Sequence, residues 1–137
     1  MATLFTRIID GSLPGAFIFK EARWVAFLDI KPSAFGHALL VPRHPGQYLA
    51  DLPAETLAEI GPYVVRLSRV VKSVCAAPAV NVVVNDGPEA GQLIAHAHLH
   101  IIPRFANDRN APFTAHRDYP EGELNRTAER MHAAWEE

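Results

Sequence analysis

The stretch His96-Ala97-His98-Leu99-His100-Ile101-Ile102 is the most informative part of this chain, because polar and apolar residues alternate strictly along it. A period of two predicts a β-strand, with the three imidazoles on one face and Ala97, Leu99 and Ile101 facing the core. Alternate side chains of a strand lie roughly 6.6–6.8 Å apart, so the rings form a row that can address one substrate. Two other interpretations stay open here: a solvated strand face rich in histidine, and a histidine metal site with an open position for water.

The same kind of pattern predicts four further strands. The five predicted strands are Ala16–Lys20, Trp24–Ile30, His37–Val41, Val80–Asn85 and Leu93–Ile102. Turn-forming residues separate the first three, and such short connections predict antiparallel neighbours. The last two are joined by a loop of turn formers from Asp86 to Gln92.

Three helices are predicted around these strands. A short one covers Leu4 to Ile9, and a long amphipathic one carries apolar residues at steps of three and four from Leu57 to Val74. Asp51 is its expected N-cap, and Pro62 is expected to kink or restart it. A final helix presents Leu124, Ala128, Met131 and Trp135 on one face. The predicted fold class is α+β, an antiparallel sheet of about five strands with a long amphipathic helix and short terminal helices.

Length and composition limit what the chain can be. Its 137 residues, 49% of them hydrophobic, predict a single domain over 1–137, in which 105–137 is a C-terminal extension ending in a helix. A formal charge of −2 offers no basic surplus for nucleic acid. Cys75 is the only cysteine, which excludes an intramolecular disulfide and favours a reducing compartment. With no signal peptide or bilayer-spanning stretch in the sequence, we expect a cytoplasmic protein that binds no membrane.

Four motifs together resemble those of the histidine-triad family. They are Phe27-Leu28-Asp29-Ile30, Gly36-His37 with Val41-Pro42, Asn85 to Gln92, and His96 to Arg104. The resemblance spans roughly Leu4 to Arg104. Its loop from Asp86 to Gln92 is most similar to the branch that hydrolyses diadenosine polyphosphates.

The resemblance implies a role for each of four histidines. His98 is the implied nucleophile on the α-phosphate of a nucleoside 5′-phosphate derivative, and His100 contacts the phosphate. His96 and His37 support the site. A nucleophilic imidazole must be neutral, with one nitrogen free to attack and the other proton held, which a backbone carbonyl can do.

The resemblance also implies a nucleotide pocket. Its implied residues are Phe5, Ile8, Leu13, Phe27, Asp29 and Ile30, with Asp29 accepting hydrogen bonds from the ribose hydroxyls. For the apolar members an ordinary core role stays open. Asn85 and Gln92 are expected to donate to phosphate oxygens, and Gly91 lets the loop backbone approach them.

The sequence departs from the family at three positions. Many bacterial relatives begin with two cysteines that join His44 and His96 in a structural zinc site, but Thr3 and Thr6 stand there. We therefore expect no metal site.

Leu93 replaces the usual Ser or Thr after Gly-Gln, which removes one hydroxyl contact. His116 and His132 lie outside the motifs and are expected at the surface.

The resulting functional hypothesis is a nucleotide hydrolase or nucleotidyl transferase. It would cleave dinucleoside polyphosphates or nucleoside phosphoramidates through a covalent nucleotidyl-histidine. No protein-bound cofactor is expected, although Mg²⁺ can accompany a polyphosphate. The resemblance implies a homodimer paired through the amphipathic segment and a sheet edge. Two alternatives stay open: a nucleotide-binding regulatory module with little turnover, and a histidine-ligated metal enzyme.

Overall fold

The structure, a computed structural model, describes residues 2–108 and 116–137. Five strands form one antiparallel sheet in the order β1-β2-β3-β5-β4. They are β1 (Phe17–Lys20), β2 (Trp24–Leu28), β3 (Ala38–Pro42), β4 (Ala79–Val83) and β5 (Leu99–Arg104). The α-helices are α1 (Leu4–Ile9), α2 (Ala54–Leu57), α3 (Ile60–Cys75) and α4 (Glu123–Trp135). The predicted fold class is confirmed; residues 109–115 of the predicted extension lie outside the described part.

The sheet has two differently covered faces. One face packs against α3 and α4 in the main core, which includes Ala97, Leu99 and Ile101 as the alternation predicts. The other face carries a smaller buried cluster, Phe5, Val25, Phe27, Leu39 and Val41, to which α1 contributes Phe5. The histidines belong to this second face.

The final strand begins later than predicted. β5 starts at Leu99 rather than Leu93, so His96 and His98 precede the regular ladder. The His96 N–H bonds Ile94 O at 2.8 Å, and the Ala97 N–H bonds Gly46 O at 2.7 Å. Because of these bonds the backbone at residues 96–97 does not pair with β3. The side chains from His96 onward still alternate between the two faces of the sheet.

The predicted N-cap of the long helix is wrong. Asp51 ends a 3₁₀ turn, Leu49–Asp51, and its carboxylate accepts the Tyr48 N–H at 3.0 Å. Helix α2 begins after Pro53, and a break at 58–59 precedes α3. Pro62 lies in the first turn of α3, where a missing N–H costs nothing, so the predicted restart is confirmed.

The terminal helices form where the sequence predicts them. Thr3 caps α1: its hydroxyl accepts the Thr6 N–H at 3.2 Å, and the Thr6 hydroxyl accepts the Thr3 N–H at 2.6 Å. Helix α4 buries Ala128, Met131 and Trp135, as its periodicity predicts. Among the described residues no helix combines the length and apolarity needed to cross a bilayer.

Candidate active site

The strand register brings His37 and His100 together. Leu39 of β3 lies opposite His100 of β5, and His37 stands two residues before Leu39 on the same face. Asp29, just after β2, is held beside them because its N–H bonds His37 O at 3.0 Å. Three strands therefore deliver one carboxylate and two imidazoles to the same point of the sheet.

His98 is oriented as a nucleophile should be. Its Nδ1 lies 2.7 Å from the carbonyl oxygen of His96. A carbonyl only accepts, so Nδ1 carries the proton and the neutral ring keeps its lone pair on Nε2. The His98 and Phe5 rings also pack edge to face, with a centroid distance of 4.9 Å. This contact helps to hold the orientation of the His98 ring. Nε2, the nitrogen without a proton, is thus available for nucleophilic attack.

His100 receives its tautomer from His37. The Ser33 N–H donates to His37 Nδ1 at 3.0 Å, which leaves the proton of neutral His37 on Nε2. That Nε2 lies 2.9 Å from His100 Nδ1 and donates to it. His100 then carries its own proton on Nε2, as a donor for a phosphoryl oxygen or a leaving group.

His96 is fully buried and braces His98. Its Nε2 donates to Pro42 O at 2.8 Å, so its Nδ1 is an acceptor. The Thr3 hydroxyl lies 3.2 Å from this Nδ1 and can supply the proton. With both ring nitrogens held, His96 keeps its carbonyl aimed at His98.

Burial keeps all four histidines neutral. It lowers the pKa of His37 to about 3 and that of His100 to about 4, with neighbouring imidazoles acting in the same direction. Burial also lowers the pKa values of His96 and His98, against the opposing effect of their bonds to backbone carbonyls. The row is therefore a set of neutral donors and acceptors at physiological pH.

The implied nucleotide-pocket residues fall into two groups. Phe5 and Phe27 are buried in the smaller core cluster, with Ile8 packed against it. Phe5 contacts the rings of His96 and His98, and Phe27 packs against Phe5. Ile30, 66% exposed, and the partly buried Leu13 remain accessible. Base contact by these residues stays a prediction.

Asp29 is partly buried and oriented for a polar ligand. Its Oδ1 accepts the Lys31 N–H at 2.9 Å, while Oδ2 lies 3.8 Å from His37 Nε2. Burial raises its pKa, against the opposing backbone bond and the charge of His116. Oδ2 thus keeps acceptor capacity for a hydroxyl donor such as a ribose.

The loop between β4 and β5 is braced by Gln92. The side-chain oxygen of Gln92 accepts the Gly87 N–H at 2.9 Å, and its Nε2 donates to Gln47 O at 2.8 Å. An amide nitrogen has two protons, so one remains for a phosphate oxygen. Gly91 lies against the Asn85 side chain in the left-handed region, with φ of 97°. The phosphate role of these residues stays a prediction, but the loop shape depends on Gln92.

Three contacts were invisible to the sequence patterns. Ser33 sets the tautomer of His37, Thr3 bonds His96, and His116 bonds Lys31 O through Nδ1 at 3.0 Å. The last two join residues 93 and 85 positions apart. His116 is exposed as expected, yet it lies beside the site. No local periodicity signals contacts of such range.

The fold and the site define a class of protein: an α+β domain that presents oriented, neutral histidines on one face of an antiparallel sheet. The family model described as HIT domain matches residues 10–107. The chain belongs to this HIT, or histidine-triad, family.

Known relatives agree with this membership. The adenosine 5′-monophosphoramidase of Candida albicans is 35% identical over 105 residues, covering 74% of this chain and 69% of that protein. The adenosine 5′-monophosphoramidase of Schizosaccharomyces pombe is 34% identical over 104 residues, covering 76% and 75%. A crystal structure of a zinc-bound histidine triad family protein from Mycobacterium smegmatis has a TM-score of 0.86 at 29% identity, covering 99% of this chain and 94% of that one. Together these similarities support a nucleotide hydrolase activity.

The residues at the family's cysteine positions do not fit a structural zinc. The Thr3 hydroxyl is engaged with the Thr6 N–H and His96 Nδ1, and neither threonine can provide a thiolate. Cys75 is committed elsewhere, with its thiol directed at Phe35 O. Hydrogen bonds with Thr3 and Pro42 O hold the His96 ring in place, as ligation to a structural zinc would.

A second constellation has metal-ligand character. Ligand atoms of Asp29, His37 and His100 lie within 4.8 Å of one another. Two imidazoles and a carboxylate can hold a divalent transition metal. A metal there would have to replace the hydrogen bond between the two rings, which fixes the His100 tautomer.

Proposed function

We propose that this HIT-family protein hydrolyses nucleoside 5′-phosphoramidates, with dinucleoside polyphosphates as a second substrate class. The observation that carries the proposal is the His98 Nδ1 bond to His96 O, which leaves an unprotonated Nε2 on a neutral ring. The loop from Asp86 to Gln92, taken from the sequence alone, favours polyphosphates as substrates. The monophosphoramidase relatives shift our preference to phosphoramidates.

The chemistry proceeds in two steps. His98 Nε2 attacks the α-phosphorus, a new P–N bond forms, and the bond to the leaving amine breaks as that nitrogen takes up a proton. Water then attacks the nucleotidyl-histidine, giving the nucleoside monophosphate and releasing a proton. His100, with its N–H on Nε2, is placed to donate to the phosphoryl oxygens or the leaving group, where charge develops.

The nucleoside would lie next to this row. Asp29 Oδ2 would accept from the ribose, and the exposed Ile30 side chain would contact the base. Asn85 and the remaining Gln92 proton would bind phosphate oxygens without the full charge of a lysine. The site needs no resident cofactor for these steps; Mg²⁺ would enter only with a polyphosphate.

A homodimer suits the exposed faces. Strand β4 ends the sheet, and Val82 on it is 45% exposed. Helix α3 on the same side of the sheet carries Val65, 50% exposed. An unpaired edge next to apolar side chains is a liability that pairing with a second copy removes.

The decisive experiment is direct detection of the intermediate. Wild-type protein mixed with adenosine 5′-phosphoramidate and quenched with base within milliseconds should gain the mass of one adenylyl group, located on His98 by peptide mapping. Turnover without any adenylylated histidine would contradict the covalent mechanism.

The two alternatives give different outcomes. A regulatory module would bind AMP without measurable turnover of any phosphoramidate or polyphosphate. A metal enzyme built on Asp29, His37 and His100 would lose activity on chelation in metal-free buffer and regain it with zinc. We expect activity on phosphoramidate to survive chelation.

A further inference from the structure

The segment 116–119 docks along the loop that joins Asp29 to His37. Each of its four residues contacts that loop. The contacts are His116 Nδ1 to Lys31 O at 3.0 Å, the Arg117 N–H to Pro32 O at 2.8 Å, Asp118 to the Lys31 ammonium at 2.8 Å, and the Gly36 N–H to the Tyr119 hydroxyl at 2.7 Å. The segment lies outside residues 10–107, which match the HIT domain.

Docking places the imidazole of His116 beside the acid that faces the ribose. Lys31 links the two: its carbonyl bonds His116, and its N–H donates to Asp29 Oδ1 at 2.9 Å. Burial raises the pKa of Asp29 and lowers that of His37, and the charge of His116 pulls both downward. Lys31 thus holds the ring and the Asp29 carboxylate on one loop, and the ring is exposed to an incoming ligand.

In its neutral form, His116 offers Nε2 as a hydrogen-bond acceptor. Since the Lys31 carbonyl only accepts, His116 Nδ1 carries the proton, and the neutral ring keeps a lone pair on Nε2. Asp29 offers Oδ2 as a second acceptor, because its Oδ1 is already occupied by Lys31. A ribose presents two neighbouring hydroxyl donors, and Lys31 links the two residues that offer these two acceptors.

We propose that His116 is a substrate-binding residue that accepts a hydrogen bond from one ribose hydroxyl while Asp29 accepts from the other. This inference rests on the proposed function and adds a specificity to it. The C-terminal segment then makes the enzyme select ribonucleotides over nucleotides that lack one hydroxyl.

The test compares kcat/KM for adenosine 5′-phosphoramidate with its 2′-deoxy and 3′-deoxy analogues. His116→Asn keeps an amide N–H for Lys31 O but has no atom at the position of Nε2, because its own acceptor, Oδ1, lies on Cγ. His116→Ala removes both nitrogens. His132→Asn is a matched control, because His132 is also exposed and also bonds a backbone carbonyl, Ile18 O at 2.8 Å, but on helix α4. Thermal unfolding midpoints verify that the variants fold.

His116→Asn should lower kcat/KM for the ribonucleotide by about three- to tenfold, the effect of one hydrogen bond. It should leave unchanged the value for the analogue that lacks the hydroxyl bound by His116. The ratio of kcat/KM for the ribonucleotide to kcat/KM for that deoxy analogue therefore falls in His116→Asn. The same ratio stays constant in the His132→Asn control. His116→Ala should show the same loss of ratio.

Three results would overturn the inference. Equal losses on the ribonucleotide and both deoxy analogues, or no loss on any of them, mean that His116 does not contact a hydroxyl. A wild-type protein that neither binds AMP nor turns over any nucleotide overturns the proposed function, and this inference with it. Wild-type turnover with an unchanged ratio in His116→Asn overturns the inference alone.

Discussion

His37 Nε2 donates to His100 Nδ1 across 2.9 Å, and this one bond determines which nitrogen of His100 presents a proton to a substrate. The two residues stand 63 positions apart and meet because β3 and β5 are neighbours. Ser33 completes the arrangement by occupying His37 Nδ1. The site thus contains a chain of hydrogen bonds that starts at the Ser33 backbone N–H, passes through His37 and ends at His100.

Replacing the nucleophile should separate catalysis from binding. His98→Ala and His98→Gly should lower turnover of adenosine 5′-phosphoramidate by about 10⁴-fold or more, because no bond to phosphorus can form. AMP affinity should change little, since His98 contributes only part of ground-state binding. Steady-state kinetics and calorimetric AMP titration measure the two effects. Retained turnover in a folded variant would remove His98 from the mechanism.

The histidine face could be predicted from sequence, whereas the start of the strand could not. Alternation alone places Ala97, Leu99 and Ile101 in the core. The ladder begins only at Leu99 because Ala97 bonds Gly46, a contact between distant segments. Side-chain alternation survives such a diversion, while backbone pairing does not.

The prediction of Asp51 as an N-cap failed for a related reason. An Asp before a helical stripe is a sound capping signal, but here a 3₁₀ turn uses the carboxylate first, and Pro53 starts the next helix. His116, which lies outside the motifs, is exposed as expected, but its bond to the Lys31 carbonyl, 85 positions away, could not be predicted from sequence. Contacts that depend on the completed fold are the ones that sequence patterns miss.

Acid should destabilise the protein through its buried histidines. The pKa of His37 is lowered to about 3 from an ordinary 6.5. The unfolded chain takes up this proton below pH 6.5 and the folded one does not, so stability is complete above 6.5 and is lost as pH falls toward 3. From pH 7.5 to 5.0 this group alone contributes a loss of up to about 2 kcal/mol in the free energy of unfolding.

Urea unfolding at pH 7.5 and 5.0 measures this loss. His37→Asn should shrink the difference between the two pH values, whereas His132→Asn, at an exposed position, should not. An equally large loss in His37→Asn would assign the acid sensitivity to other groups.

The residues at positions 3 and 6 should determine whether the protein binds zinc. Purified wild-type protein should hold well under one zinc per chain, because hydroxyls replace thiolates at Thr3 and Thr6. The Thr3→Cys/Thr6→Cys double variant should gain zinc, since His96 Nδ1 already points at position 3 and His44 completes the ligand set that the family implies. Elemental analysis decides, with Thr3→Ser/Thr6→Ser as the control. One zinc per wild-type chain would refute the expectation.

The edge strand should control the oligomeric state. Wild-type protein should sediment as a dimer at micromolar concentration, and Val82→Asp should make it monomeric by placing a charge in the apolar β4 face. Ala133→Asp on the exposed side of α4 is the control and should stay dimeric. A monomeric wild-type protein would contradict the dimer altogether. A Val82→Asp variant that stays dimeric would place the dimer interface elsewhere.

Position 93 should limit the rate of the wild-type enzyme. Leu93 is 88% exposed, directly after the bracing Gln92, and it cannot supply the hydroxyl that the family commonly places there. A missing hydrogen bond near a charged group costs about 1.5–3 kcal/mol, or roughly one to two powers of ten in rate. Leu93→Ser should therefore raise kcat/KM by about that factor, on phosphoramidate and polyphosphate alike. Leu93→Ala separates the hydroxyl from the loss of the leucine and should leave kcat/KM near wild type. An equal gain in the serine and alanine variants would show that Leu93 merely obstructs the site, and no gain in either would deny the position any role in the reaction.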